Sequence, residues 1–276
     1  MNRVLVTGSA GGLGRAVVAD LRASGYDTVG LDRAPDADFV GPVSPDLVRR
    51  ALDGVDAVVH LAAIPAPSLG TPVEVFGGNS LATFTVLDAA AAAGVPRAVI
   101  ASSLSILGLA FAPDRLDPAS LPIDEDTPLQ VADPYALSKQ ADEATGAMMA
   151  RRHGLSVVAL RFPRLGGVED RLGEAAASWQ TDPEPGAREF WAYLDYRDAA
   201  RAVRLSLDQP AGYHVYQVAA PETLAARPTE ELLDRWYPRV PRRRAFPGWA
   251  VPFDLRRATD DLGFEAIHHY QPERAC

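Results

Sequence analysis

The chain has 276 residues, of which 47% are hydrophobic and 23% are charged. This composition is ordinary for a globular protein and excludes a disordered chain. The formal net charge of −9 at pH 7 argues against a nucleic-acid partner, because proteins that bind duplexes need a basic face to displace counterions from the phosphates.

Cysteine content and hydropathy bear on the compartment. The single cysteine, Cys276, is the final residue, so we expect no intrachain disulfide and no thiolate metal site. All apolar runs are shorter than the roughly 18 residues of a membrane span, and no signal peptide precedes the first predicted strand. The sequence therefore predicts a cytoplasmic protein with no membrane partner and no metal.

The first predicted strand leads directly into a glycine-rich turn. Val4-Leu5-Val6 forms the strand, residues 7–14 read TGSAGGLG, and a helix is predicted from Arg15 to Arg22. Glycines at this place let the backbone turn tightly, approach a pyrophosphate and pack the helix on the strand, although a purely structural turn has the same pattern. The expected dinucleotide-binding residues of the turn are Gly8, Gly11, Gly12, Leu13 and Gly14.

The second predicted strand ends in an acidic residue. Residues 28–31 form the strand, and Asp32 follows it about 20 residues beyond the glycines. A carboxylate there can accept hydrogen bonds from the hydroxyls of an adenosine ribose, which favours NAD as the cofactor without excluding NADP. The next residue, Arg33, is either a solvated loop residue or a contact for adenine or a 2′-phosphate.

Helices and strands continue to alternate in the middle of the chain. Helical patterning over residues 46–52 leads into a strand over residues 57–61, in which we expect His60 to be a packed core residue. A long helix is predicted within residues 72–93. The side chains that fall on one face of this helix are Leu81, Phe84, Leu87 and Ala91.

Two serines follow the next predicted strand, over residues 99–101. Ser102 and Ser103 come at its carboxyl end, the edge at which open parallel sheets bind their ligands. Residues 104–132 then read as a long surface segment, which in a compact domain usually has a function.

The only lysine of the chain, Lys139, follows Tyr135 by four residues, whereas the other 26 of the 27 basic residues are arginines. Asp133 and Pro134 supply an N-cap and a first-turn proline, so a helix is predicted from here to about His153. The spacing then places the tyrosine and the lysine on one helical face, where an ammonium would favour the tyrosinate form. The pair is either a general acid/base or a chance arrangement on a solvated helix.

The alternation of strand and helix, continued by a strand over residues 157–160, predicts an α/β fold with a doubly wound parallel sheet of the Rossmann type. After Arg161 the pattern loosens. We expect a NAD-binding domain with the catalytic residues over residues 1–161. Residues 162–276 are expected to form mostly a small substrate-binding lobe, with elements that return to the Rossmann core.

The elements expected after residue 161 are a helix over about residues 198–207, a strand near residues 213–218, and short helices around residues 230–236 and 255–262. A basic cluster, Arg242-Arg243-Arg244, lies between the last two. It is expected to be solvated, with an anionic substrate as the alternative.

Taken together, these motifs resemble the extended short-chain dehydrogenase/reductase family, the NAD-dependent epimerase/dehydratase group. The motifs are TGSAGGLG at 7–14, Asp32, HLAA at 60–63, Asn79, SSLSILG at 102–108, DEDTP at 124–128, YALSK at 135–139 with Glu143, and Leu160-Arg161.

The resemblance implies roles for individual residues. It makes Tyr135 the catalytic acid/base, Lys139 its activator and a contact of the nicotinamide ribose, and Ser103 the residue that orients the substrate oxygen. Counting back five positions from Gly108 selects Ser103 over Ser102. The resemblance adds to the cofactor site the residues Leu61, Ala62, Ala63 and Asn79.

Departures from the family pattern concern the substrate. Leu107 stands where members acting on sugar nucleotides usually have tyrosine, and residues 164–168 replace their Asn-Val-Tyr-Gly-Pro motif. We infer a small substrate without a nucleotide handle. Arg164 and Arg171 are similar to the uronate dehydrogenase branch, in which an arginine after this strand holds a sugar carboxylate, but that branch has Asn-His where this chain has Leu104-Ser105.

The leading hypothesis is a NAD-dependent oxidoreductase that acts on a secondary alcohol or ketone of a small, carbohydrate-like substrate, neutral or acidic, with Ser105, Arg164 and Arg171 as substrate contacts. The alternatives are a sugar epimerase or dehydratase that retains its NAD, and a non-catalytic dinucleotide-sensing protein. Relatives pair the helices that correspond to residues 79–93 and 135–152, so the resemblance also implies a homodimer.

Overall fold

The computed structural model describes residues 2–167 and 169–270. Met1, Val168 and residues 271–276 lie outside the described part. The expectations for Cys276, and for position 168 within the altered motif, therefore fall outside it.

The described residues contain nine strands and nine helices. They also contain two short 3-10 helices, at Pro67–Leu69 and Leu104–Leu107. In chain order the nine strands and nine helices are β1 Arg3–Thr7, α1 Gly12–Ala23, β2 Asp27–Asp32, β3 Phe39–Val40, α2 Pro45–Ala51, β4 Ala57–His60, α3 Pro72–Ala92, β5 Arg97–Ser103, α4 Pro134–His153, β6 Ser156–Phe162, β7 Arg164–Gly166, α5 Arg171–Thr181, α6 Glu184–Ala187, β8 Tyr193–Asp195, α7 Tyr196–Ser206, β9 Gly212–Gln217, α8 Thr229–Trp236 and α9 Arg256–Leu262.

Seven strands form one parallel sheet in the order β3-β2-β1-β4-β5-β6-β9. The order reverses direction next to β1, which is the mark of a doubly wound sheet, so the predicted fold class is confirmed. All carboxyl ends lie at one edge, which therefore collects the glycine turn after β1, His60 of β4 and Ser103 of β5.

Both faces of the sheet are covered, and its inner strands are almost continuously apolar. Every residue of β4 and β6 is buried. One face packs against α1 and α7, and the other packs against α2, α3 and α4. Burial of each valine or leucine contributes about 1.5–3 kcal/mol, and the uninterrupted runs favour strands buried on both sides.

Helix α3 begins with a capping box, in which Thr71 and Glu74 bond each other's backbone amides. The sequence pattern suggested that its apolar side chains share one face. In the structure they have different environments. Leu87 is completely buried, whereas Leu81 and Phe84 are 67% and 44% exposed. The helix is apolar nearly all round, so periodicity does not identify the side that faces the core.

Helix α4 begins where the sequence predicts. The carboxylate of Asp133 accepts hydrogen bonds of 2.9 Å from the backbone amides of Tyr135 and Ala136, and Pro134 occupies the first turn. Gly154, with φ of 70°, ends the helix in the left-handed conformation that glycine adopts without strain.

The chain returns to the sheet after residue 162. Strand β9 pairs in parallel with β6, and α7 packs against α1. The remaining elements, with β7 and β8 as a separate two-stranded sheet, form the lobe above the carboxyl edge. Segment 104–132 is bound into this lobe, because Leu121 and Ile123 form bridges to Arg242 and Phe253.

The basic cluster holds the lobe together. Arg242 pairs with Glu230 and Asp234, and Arg243 pairs with Asp124 at 2.9 Å. None of the three arginines lines the main cleft, so the structure does not support the alternative that they bind a substrate. Within the described residues, no helix is both long and apolar enough to cross a membrane.

Candidate active site

A cleft of about 950 Å³ runs along the carboxyl edge of the sheet, under the lobe. Binding pockets for single small molecules range from about 300 to 1,000 Å³, so this cleft has room for a dinucleotide together with a small substrate. The predicted site residues that line it are Gly8, Gly11, Gly12, Leu13, Gly14, Asp32, Arg33, Leu61, Ala62, Ala63, Asn79, Ser103, Ser105, Tyr135, Lys139, Arg164 and Arg171.

The glycine turn is closely packed against its surroundings. Gly8 has φ of 70°, and a Cβ atom there would lie 2.7 Å from the backbone nitrogen of Ala62. A Cβ on Gly14 would lie 2.0 Å from the carbonyl oxygen of Gly8. Any side chain at these two positions would push the turn apart, so the glycines fix its shape and the close approach of α1.

Asp32 lies at one end of the cleft, at the carboxyl end of β2. Its Oδ2 accepts a 3.0 Å hydrogen bond from the amide of Ala10, which ties the glycine turn to the second strand. Its Oδ1 accepts from Ala34 at 3.1 Å. These two backbone bonds hold the carboxylate at the cleft wall, while Arg33 beside it is exposed.

Asn79 lines the cleft, and its hydrogen bonds stabilise the cleft wall. Its amide nitrogen donates to the carbonyl of Ile64 and to the hydroxyl of Ser138, both at 3.1 Å, and its Oδ1 accepts from the amide of Ile64 at 2.8 Å. Ser138 in turn donates to the carbonyl of Tyr135. Both donors of the asparagine are used within the protein, so this residue positions the 61–66 loop against α4.

The two serines after β5 point to different surroundings. Ser102 donates a 2.6 Å hydrogen bond to Glu143, inside the protein. The hydroxyl of Ser103 accepts from the amide of Ser105 at 3.1 Å. Its hydrogen therefore remains available for a group in the cleft, which agrees with the assignment of Ser103 over Ser102.

Tyr135 and Lys139 do share a face of α4, as their spacing predicts. The ammonium nitrogen of Lys139 lies 5.7 Å from the centre of the Tyr135 ring. The ring of Phe111 meets the tyrosine edge-on at a centroid distance of 6.1 Å, which closes one side of its surroundings. The phenol is 8% exposed and faces the cleft.

The lysine is held by two oxygens. Its Nζ donates to the carbonyl of Ala101 at 2.9 Å and to Asp142 at 3.1 Å. Burial acts to lower the pKa of Lys139, but the charges of Asp142 and Tyr135 outweigh it, and the pKa is raised above its usual value. The side chain therefore stays an ammonium beneath the tyrosine.

A buried ion pair lies behind the cleft, between α4 and β6. Arg161 at the end of β6 binds Glu143 of α4 through two hydrogen bonds of 2.8 Å. Burial acts to lower the pKa of Arg161, but the hydrogen bonds and charge of Glu143 raise it overall. This pair links α4 to β6, and Ser102 joins it from β5.

The lobe contributes a second charged pair. Arg164 of β7 binds Glu189 through two hydrogen bonds, of 2.6 and 3.1 Å, and its guanidinium stacks on the ring of Trp179. Both members of the pair line the cleft, as does Arg171. The positive charge of Arg164 is therefore already neutralised, which weakens the predicted role as a holder of a sugar carboxylate.

Sequence reasoning missed several cleft residues, among them Glu189, Phe190 and Tyr196. Phe190 and the adjacent Trp191 both have positive φ, of 51° and 52°. Such conformations cost about 1–3 kcal/mol each for residues other than glycine and cluster at functional sites. No sequence pattern marks these residues as neighbours of the cleft, because they lie far along the chain from the glycine turn and from α4.

Within the described part of the chain, no group of three or more His, Cys, Asp or Glu side chains is arranged to hold a metal ion.

Comparison with known proteins agrees with this geometry. The model of the NAD dependent epimerase/dehydratase family matches residues 4–219. The chain belongs to this family. The resemblance seen in the sequence motifs is thereby confirmed.

Individual relatives act on sugars, according to their names. The chain is 35% identical over 172 residues to L-arabinose 1-dehydrogenase (NAD(P)(+)) of Haloferax volcanii, a match that covers 59% of this chain and 66% of that protein. It is 28% identical over 236 residues to uronate dehydrogenase of Pseudomonas syringae pv. tomato, covering 81% and 76% of the two chains.

A solved structure is similar over almost the whole chain. It is a short-chain dehydrogenase/reductase superfamily protein from Agrobacterium tumefaciens with bound NAD, 29% identical, with a TM-score of 0.73. The match covers 97% of this chain and 93% of that one.

Proposed function

We propose that this chain is a NAD-dependent oxidoreductase that oxidises a hydroxyl group of a small sugar. One arrangement carries the proposal: Ser103, Tyr135 and Lys139 meet in the same cleft as the glycine turn and Asp32. The chain's family and its sugar-oxidising relatives support it.

The cleft fits NAD on its own geometry. The glycines after β1 leave backbone in place of side chains where a pyrophosphate would lie, and Asp32 presents carboxylate oxygens where the adenosine ribose would lie. An acidic side chain there repels a 2′-phosphate, so NAD is favoured over NADP. When bound, NAD would accept the hydride of the substrate's carbinol carbon.

The protein's own residues handle the proton. Tyr135, as the tyrosinate, takes the proton of the reacting hydroxyl, while the hydroxyl of Ser103 donates to the same oxygen and fixes its position. The ammonium of Lys139, 5.7 Å from the centre of the phenol ring, supplies a fixed positive charge beside the proton acceptor. In the reverse direction the same groups return the proton to a ketone or a lactone carbonyl.

The lobe sets the kind of substrate. The cleft wall near Tyr135 is largely apolar, with Leu104, Leu107 and Phe111, and the pair of Arg164 with Glu189 adds donors and acceptors without net charge. Such a pair suits the hydroxyls of a neutral sugar, and Glu189 disfavours a carboxylate beside Arg164. We propose a free aldose as the substrate class.

A sugar acid is the second candidate, because Arg171 also lines the cleft. In either case Arg164 and Arg171 supply substrate contacts from the lobe, while Ser103 and Tyr135 hold the reacting hydroxyl from the sheet side of the cleft.

A substrate screen tests the proposal. Purified protein is mixed with NAD or NADP and with aldoses, uronates, polyols or nucleotide sugars, and both reduced cofactor and sugar product are measured. Net NADH formed in a one-to-one ratio with an oxidised free sugar supports the proposal. Isomerised or dehydrated product without net NADH supports the epimerase or dehydratase alternative, and tight NAD binding without turnover of any sugar supports a sensing protein.

We also propose a homodimer formed through α3 and α4. Exposed apolar side chains are concentrated on these neighbouring helices, and they are Val73, Phe76, Leu81, Phe84 and Leu137. An apolar stripe of this kind is typical of an interface. Light scattering at micromolar concentration is expected to give twice the chain mass for the wild type and the single mass for Phe84→Glu. A monomeric wild type would refute the dimer.

A further inference from the structure

Tyr196 at the start of α7 occupies the space in front of the glycine turn. A Cβ atom on Gly12 would lie 2.6 Å from the hydroxyl oxygen of Tyr196 and 2.7 Å from its Cζ. Real Cβ contacts essentially never fall below 3.0 Å, so any side chain at residue 12 would have to displace the tip of the Tyr196 side chain. Two segments that are far apart in the chain thus meet at the tip of one side chain.

The start of α7, which carries Tyr196, is anchored next to α1. Asp195 caps α7 by accepting a 2.8 Å hydrogen bond from the amide of Arg197, whose side chain also binds the same carboxylate. Helix α7 packs along α1, and Arg204 of α7 pairs with Asp20 of α1 at 2.7 Å. Because α1 begins at the glycine turn, Tyr196 keeps a fixed distance from it.

The phenol is open to the cleft. Tyr196 is partly exposed and lines the cleft together with Gly12 and Leu13. Across residues 2–167 and 169–270, the structure gives its hydroxyl no hydrogen-bond partner. A tyrosine hydroxyl that borders a binding cleft in this way usually meets a polar group of the ligand.

We propose that the hydroxyl of Tyr196 donates a hydrogen bond to the pyrophosphate of NAD and thereby makes the start of α7 part of the cofactor site. The glycine turn meets the pyrophosphate with its backbone, and the Tyr196 hydroxyl, which lies against Gly12, borders the same part of the cleft. The inference rests on the proposed NAD cleft, and it does not depend on the identity of the sugar or on the direction of the reaction.

Binding measurements with Tyr196→Phe test the proposal, because this variant keeps the ring that packs on Gly12 and removes only the hydroxyl. Titration calorimetry gives Kd for NAD and for ADP-ribose, and competition gives Kd for adenosine, which lacks phosphate. We expect the Kd of NAD and ADP-ribose to rise about tenfold, as for loss of a hydrogen bond to a charged group, and the Kd of adenosine to stay unchanged.

Tyr26→Phe is the matched control, because Tyr26 lies at the amino end of β2, away from the cleft lining. It should leave all three Kd values unchanged. An unchanged Kd for ADP-ribose in Tyr196→Phe, or an equal loss for adenosine, would overturn the inference while leaving the proposed function intact. A wild type that binds no NAD would contradict the proposed function and the inference together.

A second pair of variants tests the contact itself. Gly12→Ala should lower both the melting temperature and the affinity for ADP-ribose, because its methyl group overlaps the phenol. Tyr196→Ala combined with Gly12→Ala should recover the melting temperature but not the affinity. Equal destabilisation by Gly12→Ala with and without the tyrosine would show that the ring does not restrict residue 12, and it would overturn the inference.

Discussion

The ammonium of Lys139 lies 3.1 Å from the carboxylate of Asp142, and the two side chains are only 5% and 2% exposed. The pair spans one turn of α4 directly below Tyr135, so the positive charge is fixed by a buried partner before any ligand binds. The same ammonium donates to the carbonyl of Ala101 of β5, which joins α4 to the strand that carries Ser103.

This arrangement predicts that arginine cannot replace the lysine. Lys139→Arg should lower kcat by at least about a hundredfold, because the planar guanidinium is larger than the buried space between Asp142 and Ala101 and cannot sit as a point charge beneath the phenol. Steady-state kinetics with a sugar identified in the screen measures the effect. The control is Arg151→Lys on the exposed end of α4, which should keep full activity; wild-type kcat in Lys139→Arg would contradict the assignment.

Replacement by alanine is expected to have opposite effects at the two adjacent serines. Ser103→Ala should reduce kcat by about a hundredfold with little change in stability, because its hydroxyl faces the cleft. Ser102→Ala should keep kcat within a few-fold but lower the free energy of unfolding by about 1–3 kcal/mol, because it removes a hydrogen bond from buried Glu143. Urea unfolding and kinetics on both variants separate the two roles, and exchanged phenotypes would reverse the assignment.

Local patterns were sufficient to predict much of the fold. The glycine turn, the capped start of α4 and the buried strands depend on neighbouring residues only, and their predicted bounds differ from the observed ones by a few residues. His60, for instance, was predicted to be a packed core residue, and it is 3% exposed. This expectation is confirmed.

Contacts between distant segments were not predictable in this way. The close approach of Tyr196 to Gly12 joins two helix starts that are far apart in the chain, and the pairing of Arg164 with Glu189 lies in a segment whose sequence shows no periodic pattern. Which side of α3 faces the core also depends on the neighbouring elements. The exposure of Phe84 could therefore be seen only in the structure. Substrate contacts come from such irregular segments, which is why the sequence alone left them open.

His60 predicts a pH dependence of stability. Burial, with a smaller contribution from the charge of Lys139, lowers its pKa to about 3. Between that value and the ordinary pKa of about 6.5, the unfolded chain binds a proton that the folded chain does not, so stability falls as the pH falls. This one group should cost about 2 kcal/mol between pH 7 and pH 5.

Urea unfolding at the two pH values measures this cost. His60→Gln should remove the contribution of about 2 kcal/mol, whereas His153→Gln, at the exposed end of α4, should not. The same pH dependence in His60→Gln as in the wild type would show that other groups are responsible.

The negative charge of Glu189 is expected to influence which class of sugar the cleft accepts. Glu189→Gln keeps the size of the side chain but removes the negative charge beside Arg164, so the guanidinium becomes available to a carboxylate. We expect kcat/KM for uronates to rise about tenfold relative to kcat/KM for aldoses. Glu184→Gln on the exposed side of α6 is the control. An unchanged ratio would show that the pair does not contact the substrate.

The central claim is that Tyr135 moves the proton in an oxidation that uses NAD. NADH formation and the Kd of NAD, measured on the same preparations of wild type and Tyr135→Phe, test it most directly. We expect NADH formation to fall by about a thousandfold while the Kd of NAD changes less than about twofold. A Tyr135→Phe variant that forms NADH at the wild-type rate would contradict it.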